Sequence, residues 1–271
     1  MTDIPLWQAA VLGILQGLAE FLPISSSAHL SLAPWAFHWP EPGLAFDVAL
    51  HVGTLLAVLW YFRTEWIALA SAALRMLTGG RGPRDVHERR ALLLVVGTIP
   101  GGIGGYLLEK QAETVFRSPA LTATMLIIMG IVLWAVDRWA SSVKRLDQLT
   151  VRDAIIVGVA QVAALVPGVS RSGSTITAGR ALGFDRESAA VFSFLLLMPI
   201  TAAAAVLKVP HAIREASSLT PLIVGVACAA VSGWFAIAFL LRLVRTRGYG
   251  IFAVYRVVLG AAVLALVFAR G

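Results

Sequence analysis

Two stretches of this chain carry the side chains needed to grip and cut a phosphate. The first is Gln16-Gly17-Leu18-Ala19-Glu20-Phe21-Leu22-Pro23-Ile24-Ser25-Ser26-Ser27-Ala28-His29. The second is Gln161-Val162-Ala163-Ala164-Leu165-Val166-Pro167-Gly168-Val169-Ser170-Arg171-Ser172-Gly173-Ser174-Thr175. Each reads Gln, eight residues, then Ser-x-Ser, with a proline shortly before the serines. In the second, Gly168 and Gly173 permit a tight turn that exposes backbone N–H groups. A helix from about Thr175 would aim its N-terminal amides at the same point, which makes an anion site. Arg171 adds a permanent charge and a planar fork that matches phosphate oxygens. With the hydroxyls of Ser170, Ser172 and Thr175 it forms a candidate phosphate cradle. The plainer reading is a capped turn whose arginine snorkels to the membrane surface. It is not a Walker loop, because the G-x-x-x-x-G-K-[ST] spacing is absent.

The first stretch supplies complementary chemistry. Ser25, Ser26 and Ser27 offer hydroxyls, and His29 follows Ser26 by three residues and Ser25 by four. On a helix beginning at the serines, that spacing places His29 on their face one turn along. Serine needs a neighbouring base to become a good nucleophile, and histidine is the usual one near neutral pH. The plainer reading is an N-cap serine cluster with a hydrogen-bonded histidine. Glu20 lies one turn after Gln16. Beside an anionic substrate its carboxylate would hold a divalent cation, donate a proton, or orient Arg171 or His29. Mg²⁺ or Ca²⁺ prefers such oxygen ligands and shares them with phosphate. Interhelical hydrogen bonding is the plainer role for Gln16 and Glu20. A zinc site is not indicated, since His29, His38, His51, His87 and His211 lack ligand spacing. Nucleophile, base, phosphate cradle and carboxylate together make a phosphoryl-transfer set, in which positioning and charge stabilisation supply most of the catalysis.

The elements that must position these groups lie in a membrane. The 271 residues are 58% hydrophobic and 14% charged, and mean hydropathy is +0.82. A soluble domain carries about a quarter charged residues, so the chain is read as an all-α, polytopic integral membrane protein. Polar groups at membrane depth are costly and mark function, and an intramembrane phosphate site implies a lipid-linked phosphate. The charge of +7 does not indicate nucleic acid, because the arginines cluster in short loops between apolar runs. The single cysteine, Cys228, excludes an internal disulfide. A cleavable signal peptide is not expected, since the start lacks a basic region.

A spanning helix needs roughly 20 apolar residues. Segments 44–62, 91–108, 119–137, 188–207, 219–241 and 250–269 meet that requirement. Regions 4–38 and 151–183 are apolar but interrupted by Pro, Ser and Gly. Broken backbone at depth must be covered by protein or line a wet cavity, so both are read as re-entrant hairpins with serines at their tips. The order is hairpin, three spans, hairpin, three spans, which makes an inverted-topology repeat. Repeat 1 covers about 1–137, a linker about 138–150, and repeat 2 about 151–271. Basic residues fall in loop 63–90 (Arg63, Arg75, Arg81, Arg84, Arg89, Arg90), loop 138–152 (Arg138, Lys144, Arg145, Arg152), segment 180–187 and loop 242–248. The alternate loops hold Lys110 and Arg117, then Lys208 and Arg214. The positive-inside rule makes the first set cytoplasmic and turns both termini outward. Arg256, Glu187 and Asp47 are expected to pair inside the bundle or at its interfaces. Trp7, Trp35, Trp39, Trp60, Trp66 and Trp139 fall near predicted span ends, as interfacial anchors do.

The chain resembles the undecaprenyl-pyrophosphate phosphatases, the bacitracin-resistance phosphatases of bacteria, over essentially its whole length. The resemblance rests on Gln16-x-x-x-Glu20-Phe-Leu-Pro-Ile-Ser25-Ser26 with His29, and on Pro167-Gly168-Val-Ser170-Arg171-Ser172-Gly-Ser-Thr175. Phe192-Ser-Phe-Leu-Leu-Leu-Met-Pro199 and Ala253-Val-Tyr-Arg256 are similar to family segments too. It implies removal of the terminal phosphate of undecaprenyl pyrophosphate, which regenerates the carrier for cell-wall synthesis. It also implies a divalent cation and a multi-pass protein of the bacterial inner membrane with its site open to the periplasm. Carried over, Ser26 matches the nucleophile and His29 the base. Arg171 with Ser170 and Thr175 matches the phosphate-binding residues, and Glu20 the carboxylate that aids substrate or metal binding. Gln16 stands where the family allows Glu or Gln, one charge fewer for a metal. Ser25, Ser27 and Ser172 complete the candidate phosphate contacts, and the serine run leaves the nucleophile open by one residue. Competing readings are a polyprenyl-phosphate transporter or flippase, which inverted repeats with broken helices also serve, and a module that only sequesters the lipid. A histidine-nucleophile phosphatase is disfavoured, since no histidine follows Arg171 before His211. A homodimer is the assembly the sequence leaves open.

Overall fold

The computed structural model describes residues 4–114, 118–215 and 218–270, without the side chains of 44–45, 109–114, 211–212 and 215. Arg117 and the side chains of Lys110 and His211 therefore lie outside the described residues. Among the described residues the chain is helical and has no strand beyond an isolated Lys144–Phe184 bridge. The helices are α1 (Leu6–Phe21), α2 (Ser26–Phe37), α3 (Leu44–Tyr61), α4 (Arg63–Gly79), α5 (Val86–Thr114) and α6 (Pro119–Trp139). They continue as α7 (Val151–Ala163), α8 (Arg171–Ala181), α9 (Arg186–Glu215), α10 (Thr220–Thr246) and α11 (Gly250–Arg270). α5, α6, α9, α10 and α11 are long and apolar enough to cross a membrane. This is a multi-pass membrane protein.

The expected hairpins are α1–α2 and α7–α8, and the prolines explain their breaks. Leu22, immediately before Pro23, is extended with ψ 138°, as the steric demand of the proline ring requires, and α1 stops there. α2 and α8 then begin at Ser26 and Arg171. The second start comes four residues earlier than the expected Thr175. Ser170 takes φ 74° and caps the helix itself, its Oγ accepting the Gly173 N–H at 3.0 Å. Gly168, at φ +94°, makes the turn. Gly173 is helical, and its lack of a side chain instead admits Arg256, whose Nη1 would lie 2.7 Å from a Cβ there.

Loop 63–90 differs from expectation. Its first half is α4, which leaves α3 at an angle of 86°. Leu69 and Ala72 are buried, while Ile67, Leu74 and Leu77 are exposed. An arginine-bearing helix with an apolar face suits a position along the membrane surface, and its arginines masked that pattern. Arg90 is bonded to Glu65, and Arg75 and Arg81 reach Glu88 at 3.3 and 2.9 Å, so the segment is pinned to α5. Asp85 accepts the Glu88 backbone N–H at 2.8 Å, which holds its carboxyl below the usual range.

Each hairpin packs on a helix of the other half: α1 on α10, and α7 on α5. Gly13 and Gly158 make these crossings close. A Cβ at Gly13 would strike the Gly225 carbonyl, and one at Gly158 the Gly97 carbonyl. Small residues set such approaches where lipid offers no hydrophobic drive. α3 lies beside α9 and α6 beside α11, and Phe21, Ile176, Phe194, Leu133 and Leu240 fill the core between the hairpins. At the far end of α6 Asp137 accepts Arg180 Nε at 3.1 Å, Arg186 Nε at 2.8 Å and the Tyr249 N–H at 3.0 Å. Glu187 pairs with Arg245 at 2.6 Å in an exposed position.

Candidate active site

Ser26 and Arg171 occupy matching places, each the first residue of a helix behind a serine cap. Ser25 has φ 76° and Ser170 φ 74°. Each cap hydroxyl lies close to the serine two residues on, Ser25 to Ser27 at 3.2 Å and Ser170 to Ser172 at 3.3 Å. The backbone thus builds the same anion-facing turn twice and places a hydroxyl at one and a guanidinium at the other.

Glu20 joins them. Its carboxylate is 5% exposed. Oε2 accepts Ser26 Oγ–H at 2.6 Å and Gln16 Nε2–H at 3.1 Å. Oε1 accepts from Nε and Nη2 of Arg171, both at 3.3 Å. The remaining Arg171 nitrogen, Nη1, donates to the Ser193 carbonyl at 2.8 Å. Thr175 does not face the site. Its hydroxyl donates to the Arg171 carbonyl at 2.8 Å and touches Ser193 Oγ at 2.7 Å, so it steadies the arginine from behind. Ser172 Oγ donates across to the Leu22 carbonyl at 3.2 Å and fastens one hairpin tip to the other.

His29 has no hydrogen bond to Ser26, contrary to the arrangement expected for its base. Its Nδ1 faces the Ser25 carbonyl at 2.8 Å. A carbonyl only accepts, so Nδ1 carries the proton, and Nε2 accepts the Tyr255 hydroxyl at 2.6 Å. The rings stack at 5.7 Å. Helical spacing put His29 on the serine face, but the carbonyl one turn back turned its ring toward α11.

Four further residues enter the site, His51, Arg256, Tyr255 and Ser193. His51 of α3 brings Nε2 to 3.6 Å from Glu20 Oε2, while its Nδ1 is bonded to the Asp47 carbonyl at 2.7 Å. Ser27, His51, Trp35, Pro119 and Pro167 line a cavity of about 480 Å³ that leads to the site. Arg256 is wholly buried and donates to carbonyls alone. These are Pro23 at 3.1 Å, Gly168 at 2.6 Å, Val169 at 3.0 Å and Leu126 at 3.3 Å. It is thus paired inside the bundle, by main-chain oxygens from both hairpin tips and from α6. A lone histidine in an apolar run was the one signal for His51. Tyr255 and Ser193 had none beyond their place in the family-like segments.

Two features bear on a cation. Gln16 Oε1 is buried and has no hydrogen-bond partner, next to the Glu20 carboxylate. Among the described residues no cluster of three or more His, Cys, Asp or Glu could hold a metal by itself.

The comparisons with known proteins agree along the whole chain. Residues 9–262 match the family described as bacitracin resistance protein BacA. The chain is 61% identical over 264 residues to the undecaprenyl-diphosphatase of Gemmatimonas aurantiaca, covering 97% of this chain and 98% of that protein. It is 50% identical over 265 residues to that of Pelotomaculum thermopropionicum, with 97% of each covered. Against that of Thermomicrobium roseum it is 46% identical over 275 residues, covering 97% and 99%. With paired serine turns joined by Glu20 and a family match spanning nearly its full length, the chain belongs to the bacitracin resistance protein BacA family.

Proposed function

We propose that the chain is an undecaprenyl-diphosphatase, hydrolysing undecaprenyl diphosphate to undecaprenyl phosphate and inorganic phosphate. The activity recycles the lipid carrier of cell-wall synthesis and opposes bacitracin. The observation that carries the mechanism is the 2.6 Å contact from Ser26 Oγ to Glu20 Oε2 beside Arg171. Transport alone has no use for a hydroxyl held on a carboxylate.

The terminal phosphoryl group settles between the N-termini of α2 and α8, whose free amides and dipoles favour an anion. Arg171 turns part of its fork from Glu20 Oε1 to the phosphate oxygens. Ser26 Oγ attacks phosphorus as its proton passes to Glu20. The bond from phosphorus to the bridging oxygen breaks, and undecaprenyl phosphate leaves with the electron pair. Water then attacks phosphorus, the P–Oγ bond breaks with its electron pair going to Ser26 Oγ, and inorganic phosphate leaves. His29 Nε2, released from Tyr255, takes the water proton, and Glu20 returns its proton to Ser26. A Mg²⁺ or Ca²⁺ ion fits this reading, because the unpartnered Gln16 Oε1 and the Glu20 carboxylate are adjacent oxygen ligands. One or two protein oxygens suffice where phosphates and water complete the shell. Glu20 and Gln16 would hold the ion, and when bound it neutralises diphosphate charge. The cavity opens toward the periplasm in this reading. Its support is the clustering of arginines at the opposite end of α6. The two hairpin-plus-span units are read as inverted repeats, supported by the matched turns at Ser25 and Ser170.

The test is phosphate release from undecaprenyl diphosphate by the purified protein with Mg²⁺. Glu20→Gln should lower kcat by about 10²–10⁴-fold, the range for a general base, and Ser26→Ala by at least as much. If Glu20→Gln kept its release within threefold of wild type, the carboxylate would not be the proton acceptor.

A further inference from the structure

α6 runs between two cavities. Pro119, its first residue, lines the one that leads to Ser27 and His51. Trp134, Asp137 and Arg138, near its last, line a second cavity of about 430 Å³. This second cavity is completed by the start of α9 (Arg186), the loop between α10 and α11 (Arg247 and Gly248) and the start of α11 (Ile251). It plays no part in the hydrolysis described above, and a 21-residue helix puts it roughly 30 Å from the first.

We infer that this second cavity binds the phosphate headgroup of an anionic membrane lipid. Arg138, Arg186 and Arg247 line it together with one carboxylate, Asp137. That carboxylate is already spent. Its Oδ1 takes Arg180 and Arg186, and its Oδ2 takes the Tyr249 N–H. Among the described residues Arg138 and Arg247 have no acidic partner. Two guanidiniums thus face a cavity without a counter-charge, and guanidinium forks suit phosphate oxygens. Gly248 keeps the floor open: a Cβ there would stand 2.5 Å from Asp137 Oδ2 and 3.1 Å from Arg186 Nη2.

The choice of a lipid over a soluble phosphate comes from the rim. Trp134 is 47% exposed and Ile251 61% exposed, so one wall is apolar and faces away from the bundle. Trp134 packs edge-on to Trp139 at 5.9 Å, an aromatic pair of the kind that marks headgroup depth. A soluble phosphate uses the arginines alone, whereas a lipid phosphate uses both the arginines and that wall.

The test compares wild type with the Arg138→Gln/Arg247→Gln double variant, purified in detergent. Bound lipid is counted by native mass spectrometry during titration with short-chain phosphatidylglycerol, short-chain phosphatidylcholine or inorganic phosphate. Wild type should retain phosphatidylglycerol over phosphatidylcholine. The double variant should bind it about thirtyfold more weakly, at about fivefold per arginine near a membrane surface, with hydrolysis unchanged. An Arg138→Lys/Arg247→Lys variant should restore retention. Equal retention by wild type and the glutamine variant would overturn the site, as would loss in the lysine variant. Inorganic phosphate binding at the same arginines without lipid preference would overturn the assignment to a lipid.

Discussion

Replacing Arg256 with methionine tests whether the two hairpin tips are held in register by one side chain. The guanidinium donates four hydrogen bonds, to the carbonyls of Pro23, Leu126, Gly168 and Val169. At about 1.5 kcal/mol for each bond from a charged donor, their loss costs about 6 kcal/mol. Methionine keeps much of the volume and removes a buried charge that has no counter-ion among the described residues, which returns several kcal/mol. The net loss is therefore about 2–4 kcal/mol. For a chain of this size each kcal/mol moves Tm by about 2–4 °C, so the fall should be about 4–16 °C, followed by intrinsic tryptophan fluorescence in detergent. Activity should suffer more than stability. Ser26 and Arg171 begin the helices that follow these tips, and a displacement of about 1 Å costs about a hundredfold in rate. Phosphate release should thus fall about a hundredfold at a temperature where the variant is folded. Arg256→Lys, which cannot span all four oxygens, should fall between. A methionine variant within 2 °C and twofold of wild type would refute the clamp.

His29→Ala should leave the attack by Ser26 intact and slow the attack of water, so phosphoserine at position 26 should accumulate in acid-quenched samples read by mass spectrometry. An absence of phosphoserine alongside lost turnover would move His29 to the first step. Gly158→Leu should cost about 1–3 kcal/mol of overpacking, a fall in Tm of about 2–12 °C, because its Cβ meets the Gly97 carbonyl. Gly102→Leu, with open space around it, should leave thermal melting unchanged. Chelation of divalent cations should abolish release, and Gln16→Glu should lower the Mg²⁺ concentration for half-maximal rate, measured by titrating the metal into chelated enzyme.

The broken hairpins were legible in the sequence because proline and serine at membrane depth leave few structural solutions. The spacing repeated in the two halves pointed to Gln16, Ser25, Ser26 and Arg171 as candidates, and Glu20 stood out one helical turn after Gln16. What escaped the sequence depends on contacts between distant segments. Tyr255 reaches His29 across 226 positions and Arg171 reaches Glu20 across 151. No periodicity within one helix encodes such pairs. The histidine shows the limit of local rules: helical spacing gave its face, while the proton on Nδ1 depended on the Ser25 carbonyl, which also accepts the His29 backbone N–H. α4 escaped for another reason. Its charges read as a loop, and its apolar face has a use only where a membrane surface lies beside it.

The exchange of hairpins between halves also bears on how the protein is made. α1 leaves the ribosome first, yet the helix it packs against begins at Thr220. α7 is more fortunate, since α5 precedes it. Until α10 is threaded into the bilayer, the first hairpin has a polar tip at a depth where lipid offers no hydrogen bond. The helix that seats it thus comes late in synthesis, the reverse of the usual order in which N-terminal parts fold first. The order of manufacture and the order of assembly are opposed here, and the turn that carries Ser26 is made long before the helix that seats it.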